Sequence, residues 1–358
     1  MRGDEKIFMR RVERFQELLR ENDIDGAVIR TLSSFIYFTG TKWLRPSLLI
    51  PAEGEPRVFV VRNEVKTFRK RSWIRDVVEY QRVEDLMAGV VSWIQRNGLE
   101  RVGLEFGVER DAYLLFLKLF ERLNPTVEVV DVLDLTMKLR MVKEEWELEN
   151  IRKAGKIAKK GMKVAEEVIR PGLSELEIAA EVVRELMLSG SEDPKVYVST
   201  TPRAHAEPFR DMKVPENGVV TVVIGADWNH YYANMARTFV VGELGERVRE
   251  AIEVKEEAYR IALEETKVGV PLNTVERKLA DFFKERGFER EYIAGYTHGV
   301  GLLIEELPMP TIVVPTRAQR VMENMVLSII HSPLMLPEGT IKHEDTYIVK
   351  KDGLERAT

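Results

Sequence analysis

From the first residues to about position 138, short apolar runs alternate with helical patterns. The runs are Ala27–Arg30, Phe35–Phe38, Val58–Val61, Val102–Glu105 and Val127–Val132. Among the helical patterns, Asp4–Arg20 gathers Val12, Phe15, Leu18 and Leu19 on one face, and Val83–Arg96 gathers Leu86, Val90, Val91 and Ile94. That spacing lets a helix bury one stripe while its other face stays in water. The alternation predicts a small α/β domain, and Pro51–Pro56 with Gly54 predicts a hairpin turn inside it.

From about Lys143 a charged-and-apolar helical pattern runs to Ile169 and stops at Pro171-Gly172, because proline cannot continue a helix and glycine accepts the turn. A second helix is predicted to start at the capping box Ser174-x-x-Glu177. The same grammar returns downstream: a helix around Val248–Glu265 meets Gly269, and another runs through Val275–Glu285 to Gly287. The separation of Gly172 from Gly190 equals that of Gly269 from Gly287, and Ile178, Val182 and Leu186 fall on Val275, Leu279 and Phe283 at the same offset. Gap, stops and apolar face agree, so the second half reads as a duplicated unit.

After each helix pair the pattern turns strand-like: Val196–Ser199, Val219–Ala226 and Tyr231–Val241 in the first copy, then Ile293–Leu303, Met325–Ile330 and Thr346–Lys350 in the second. The predicted fold class is α/β (α+β). A small α/β domain over 1–138 precedes a pseudo-twofold domain over 139–358, with helices covering a curved, mostly antiparallel sheet. The concave face of that sheet is the expected place for a site.

The length of 358 residues suits two such domains, and 54 basic against 59 acidic residues give a formal net charge of −5. Mild acidity argues against general nucleic-acid binding, and the cluster Lys66, Arg69, Lys70, Arg71 and Arg75 reads as a solvated helix face. Cysteine is absent, which excludes disulfides, thiolate metal sites and cysteine nucleophiles. The start, MRGDEKIFMRRVERF, has no apolar core of a signal peptide, and no run long enough to span a membrane occurs. A cytoplasmic protein without membrane partners is expected. Glutamine is confined to Gln16, Gln81, Gln95 and Gln319 while Glu, Lys and Arg abound, a balance found in heat-adapted proteins.

All five histidines, His205, His230, His298, His331 and His343, lie in the second half. His230, in Asp227-Trp228-Asn229-His230, reads as a turn residue. His298 lies in Thr297-His298-Gly299-Val300-Gly301-Leu302, where glycines let backbone or ligand approach closely. Four stretches now stand in order: Ile224-Gly225-Ala226 with Asn234-Met235-Ala236-Arg237-Thr238-Phe239, the His298-Gly-Val-Gly-Leu stretch, Glu306-Leu307-Pro308, and His343-Glu344-Asp345-Thr346. Together they resemble the pita-bread superfamily of prolidases, proline aminopeptidases, methionine aminopeptidases and creatinase. The likeness extends over the whole chain, including a creatinase/prolidase-type N-terminal domain and the joining Leu139-Arg140-Met141-Val142-Lys143-Glu144-Glu145.

The resemblance implies two divalent metals held by Asp, Asp, His, Glu and Glu. The first aspartate position falls on Val223 and the second on Asn234, expected to face each other across a hairpin turning at Trp228-Asn229. The histidine is present as His298, the first glutamate falls on Ile330 or His331, and the last is retained as Glu344. In the family's His-Glu-x-Pro element the histidine becomes Glu305, and an upstream Pro-His becomes Pro208-Phe209. Two divalent ions bring four positive charges, and one carboxylate leaves an excess of about three, so a dinuclear site is not expected.

The leading expectation is a prolidase homologue that has lost dinuclear metallopeptidase activity and needs no cofactor. Its cleft, lined by Val223, Asn234, Arg237, Glu306, Ile330 and His343, would bind a peptide-like or small polar ligand. An alternative is a metal-free, creatinase-like C–N hydrolase using His298, Glu305, His331, His343 and Glu344 for acid–base chemistry. A third is one divalent metal such as zinc on His298, His331, Glu344 and Glu305, against which an ion pair of Glu305 with Arg237 or Lys342 competes. The resemblance also implies that the N-terminal domain shapes or caps the cleft and takes part in a homodimer.

Overall fold

A computed structural model describes residues 5–43, 47–107, 109, 112–203, 207–311 and 313–358. Two units separate, Met1–Leu139 and Arg140–Thr358. The first runs α1 (Glu5–Glu21), β1 (Gly26–Ile29), α2 (Leu32–Thr39), β2 (Leu48–Pro51), β3 (Arg57–Val61), α3 (Val65–Arg71), β4 (Asp76–Tyr80), α4 (Val83–Arg96), β5 (Arg101–Leu104), α5 (Ala112–Leu123) and β6 (Glu128–Asp131), followed by α6 (Leu133–Met141). Its six-stranded sheet has the order β4-β3-β2-β1-β5-β6. The Pro51–Pro56 turn joins antiparallel β2 and β3, whereas β1, β5 and β6 pair parallel. Phe35–Phe38 corrects the expectation of a strand: it lies in α2, where every residue from Ser33 to Thr39 is buried. A helix buried all round shows no apolar period, so its sequence cannot be told from a buried strand.

The second unit contains α7 (Glu145–Val168), α8 (Glu175–Leu188), β7 (Lys195–Ser199), β8 (Gly218–Trp228), β9 (Tyr231–Val241), α9 (Glu246–Glu265), α10 (Leu272–Glu285), β10 (Thr297–Gly299), β11 (Val326–Ile329), β12 (Leu334–Leu336), β13 (Gly339–Ile341), β14 (Glu344–Lys350) and β15 (Gly353–Arg356). Its seven-stranded sheet is antiparallel throughout, in the order β10-β11-β14-β9-β8-β7 with β15 on β14. The two helix pairs build equivalent cores. Ile178, Val182 and Leu186 of α8 are fully buried in one, and Val275, Leu279 and Phe283 of α10 in the other. Each such side chain contributes about 1.5–3 kcal/mol of burial. Gly172, Gly190, Gly269 and Gly287 all have positive φ, as the turns closing both helix pairs require. The Ser174–Glu177 capping box forms at the start of α8, whereas Pro271 precedes α10 without a side-chain cap.

Two local expectations are corrected. The β8–β9 hairpin turns at Asn229-His230, both with positive φ, the conformation of a two-residue primed turn. Val223 therefore pairs with Ala236, and Asn234 with Gly225, two residues out of the expected register. Strand structure within Ile293–Leu303 is confined to Thr297–Gly299. Beyond it the chain folds back so tightly that a Cβ on Gly299 would lie 2.3 Å from the Leu307 carbonyl oxygen, and one on Gly301 would lie 2.2 Å from Glu306.

Candidate functional site

Strand alternation selects which side chains enter the cleft of the second unit. Residues two apart along an extended segment share a side, and Lys342 and Glu344 both face a cavity of about 200 Å³ lined also by Tyr197, Glu207, Val223, Asn234, His298, Ile304, Glu305 and His331. Glu344 is buried; its Oε1 accepts from the Ser328 hydroxyl, and its Oε2 lies 2.9 Å from Lys342 Nζ. His298 Nε2 stands 3.8 Å from Glu344 Oε1, and His331 Nδ1 stands 3.5 Å from Oε2. The two imidazoles meet edge to face with centroids 4.7 Å apart. Their donor atoms and a Glu344 oxygen lie within 4.8 Å of one another, close enough to be considered for one ion.

Hydrogen bonds set the tautomers. His298 Nδ1 is 2.9 Å from the Gly299 carbonyl oxygen, which can only accept, so Nδ1 carries the proton and Nε2 is left as an acceptor. Lys342 Nζ is 3.3 Å from His331 Nδ1 and donates to it. The His331 proton then sits on Nε2, 3.9 Å from Glu305 Oε1. Burial first, and the Lys342 charge second, push the His331 pKa down, so the ring is neutral at pH 7. Burial alone would raise the Glu344 pKa, but the Lys342 ammonium beside it holds it well below the ordinary carboxylate range. The carboxylate at the floor of the cleft is ionised and already has an ammonium partner.

The Asn234 amide is fixed by donation from Nδ2 to the Ile304 carbonyl at 2.7 Å. Its Oδ1, like His298 Nε2, is buried without a hydrogen-bond partner among the described residues. Val223 lines the same cavity and offers no donor atom. A second cavity of about 160 Å³ adjoins this one through His298, Glu305 and His331, and adds Ile293, Ala294, Gly295, Thr297, Met309, Thr311 and Pro333.

Four residues expected in the cleft lie elsewhere. Glu306 is buried between Arg140 Nη2 at 2.5 Å and Lys143 Nζ at 2.7 Å. Arg237 makes a bidentate pair with Asp345 at 2.8 and 3.0 Å, not with Glu305. Ile330 is buried in the apolar core, which leaves the cleft to His331. His343 points off the opposite side from Glu344, stacked on Tyr259 with centroids 4.0 Å apart and bonded to Glu256. His230 occupies the hairpin turn, and His205 lies outside the described residues. Tyr197 and Glu207 were not expected as site residues; Lys342, weighed as a partner for Glu305, pairs instead with Glu344 two residues on.

Beneath the cleft, Lys255 of α9 is 1 % exposed and donates to the Ser332 carbonyl. Burial, then the Lys342 charge, lowers its pKa to about 7 from 10.5. Between those values the unfolded chain holds the proton that the folded chain sheds, so stability rises with pH across the window. The penalty is complete below about pH 7 and gone above pH 10.5. Replacing Lys255 with Met is expected to raise stability at pH 7 by about 2 kcal/mol. Urea unfolding at pH 7 and pH 9.5 checks this, because the advantage must shrink at the higher pH.

Comparison with known proteins places this geometry. Metallopeptidase family M24 matches residues 149–351, and the creatinase/prolidase N-terminal domain matches residues 11–142. The chain is 28% identical to an Xaa-Pro dipeptidase of Pyrococcus furiosus, over 97% of each sequence. Among solved structures it resembles the prolidase of Pyrococcus horikoshii OT3, with a TM-score of 0.85 and 25% identity over 98% of each chain. The prolidase of Pyrococcus furiosus superposes with a TM-score of 0.84 at 27% identity, over 96% of this chain and 98% of that one. Among the described residues, no helix is long and apolar enough to cross a membrane.

Proposed function

This chain belongs to metallopeptidase family M24, and from that membership we propose a prolidase-like protein that has set aside the pair of divalent ions and uses its cleft to bind a peptide-like or small polar ligand. The observation that carries the reading is the Lys342 ammonium 2.9 Å from Glu344 and 3.3 Å from His331. Of the five positions that the resemblance assigns to metal ligands, Glu344 alone is a carboxylate; Val223 has no donor atom and Asn234 is neutral. Two unit charges 4 Å apart repel by about 4 kcal/mol at an effective dielectric near 20. A divalent ion beside Lys342 doubles that figure, and a second ion adds more. The residues do not fit a dinuclear centre.

Without that centre, no described residue of the cleft polarises an ordinary peptide carbonyl as a metal does. Incubation with Xaa-Pro dipeptides in cobalt, manganese or zinc is expected to release no proline above the buffer blank. Proline release that His298→Ala abolishes would overturn the reading. The proposal includes a homodimer, as the resemblance implies, for which a monomer mass in light scattering would be the contrary result.

A further inference from the structure

Among the described residues, two buried side chains present acceptors to the cleft with no donor to meet them. Asn234 Oδ1 is open because the Ile304 carbonyl fixes the amide the other way, and His298 Nε2 is open because the Gly299 carbonyl takes the ring proton. Both residues are at least nine-tenths buried, at 2 % and 5 % exposure, so bulk water does not readily satisfy them. Around them stand the carboxylates of Glu207, Glu305 and Glu344, against one lining cation, Lys342, whose ammonium is already engaged by Glu344 and His331. Among the described lining residues, three carboxylates thus face one ammonium. A ligand anion would meet like charges and acceptors; a cation with several N–H groups would meet partners on every side. The adjoining cavity, with Ile293, Met309 and Pro333 in its wall, extends from the same His298, Glu305 and His331 and suits a short apolar body.

We propose that the cleft selects an organic cation, an ammonium or guanidinium head donating to Asn234 Oδ1 and His298 Nε2, carried on a short aliphatic or aromatic body seated against Ile293, Met309 and Pro333. This rests on the reading of the cleft as a metal-free ligand site. The head is held by acceptors and carboxylates, and the body by apolar contact. Lys342 is paired with Glu344 and His331, so the charge the head meets is that of Glu207 and Glu305.

The test is calorimetric titration of chelator-treated protein with four ligands sharing one body: 3-methylbutylamine, 3-methylbutylguanidine, 3-methylbutanol and 3-methylbutanoate. The amine or the guanidine is expected to bind at least tenfold more tightly than the alcohol, with the carboxylate weakest. Asn234→Leu is expected to reduce that preference tenfold, and methylamine, lacking the body, to bind at least tenfold more weakly than 3-methylbutylamine. Equal binding of alcohol and cations, tighter binding of the carboxylate, or no binding by any of the four overturns the proposal, whether or not the leucine variant folds. Repeating the series with manganese separates the two readings: a cation preference that appears only with metal contradicts the metal-free cleft, whereas metal-independent preference for the carboxylate contradicts this inference alone.

Discussion

Lys342→Ala is expected to convert a chain that retains no divalent ion into one that retains a single zinc ion. The substitution removes the ammonium 2.9 Å from Glu344 and leaves two imidazoles and a carboxylate with donor atoms within 4.8 Å of one another. Two histidines, one carboxylate and a water are an ordinary four-coordinate zinc set. The electrostatic change is large: the Glu344 charge, now neutralised by Lys342, becomes available to the ion, and the like-charge repulsion is lost. Zinc per chain after gel filtration checks this, with a Lys342→Ala, Glu344→Ala double variant expected to return the value to zero. Failure of the single variant to hold zinc would mean that the ammonium is not what bars the ion.

Glu306→Ala is expected to destabilise the second unit by about 3–5 kcal/mol, the cost of leaving buried charges unpaired. Glu306 is shared by Arg140 and Lys143, and all three side chains are at most 2 % exposed. Lys143 also donates to the Arg140 carbonyl at 2.7 Å, so the carboxylate ties the segment that opens this unit to the loop behind Glu305. Burial would raise the Glu306 pKa, but Lys143 and then Arg140 hold it below the usual value. Its contribution is therefore present above pH 4.5, the ordinary glutamate pKa, and lost as pH falls through the lowered folded value. A drop in the urea midpoint with an unchanged denaturant slope is the expected reading. A change below 1 kcal/mol would contradict the role given to this triad.

The duplicated architecture was legible because it rests on signals that repeat: paired glycine stops, equal spacing, and apolar positions at one offset that become the fully buried faces of α8 and α10. The cleft was legible in part. His298, His331, Glu305 and Glu344 come together there, but Glu306, Arg237, Ile330 and His343 do not. Neighbours along an extended chain point to opposite sides, which separates His343 from Glu344, whereas Glu306 is held away from the cavity by its pairing with Arg140 and Lys143. The hairpin register was misplaced for a different reason. Positive φ at both Asn229 and His230 is a conformation uncommon for any residue but glycine, so a turn without glycine gives little sign of which two residues occupy it. Lys342 was weighed only as a partner for Glu305, because an ammonium that stands beside metal-ligand residues leaves no motif of its own; it pairs with Glu344 and His331 instead.

Metal stoichiometry of the unmodified protein decides whether the cleft holds an ion. Purified protein would be saturated separately with cobalt, manganese and zinc, freed of excess ion by gel filtration, and the metal per chain counted by mass spectrometry. Zero ions per chain is expected for all three, since Lys342 already neutralises the single carboxylate at the floor of the cleft. Two ions per chain, or one that Glu344→Ala removes, would contradict it and return the cleft to metal-dependent chemistry.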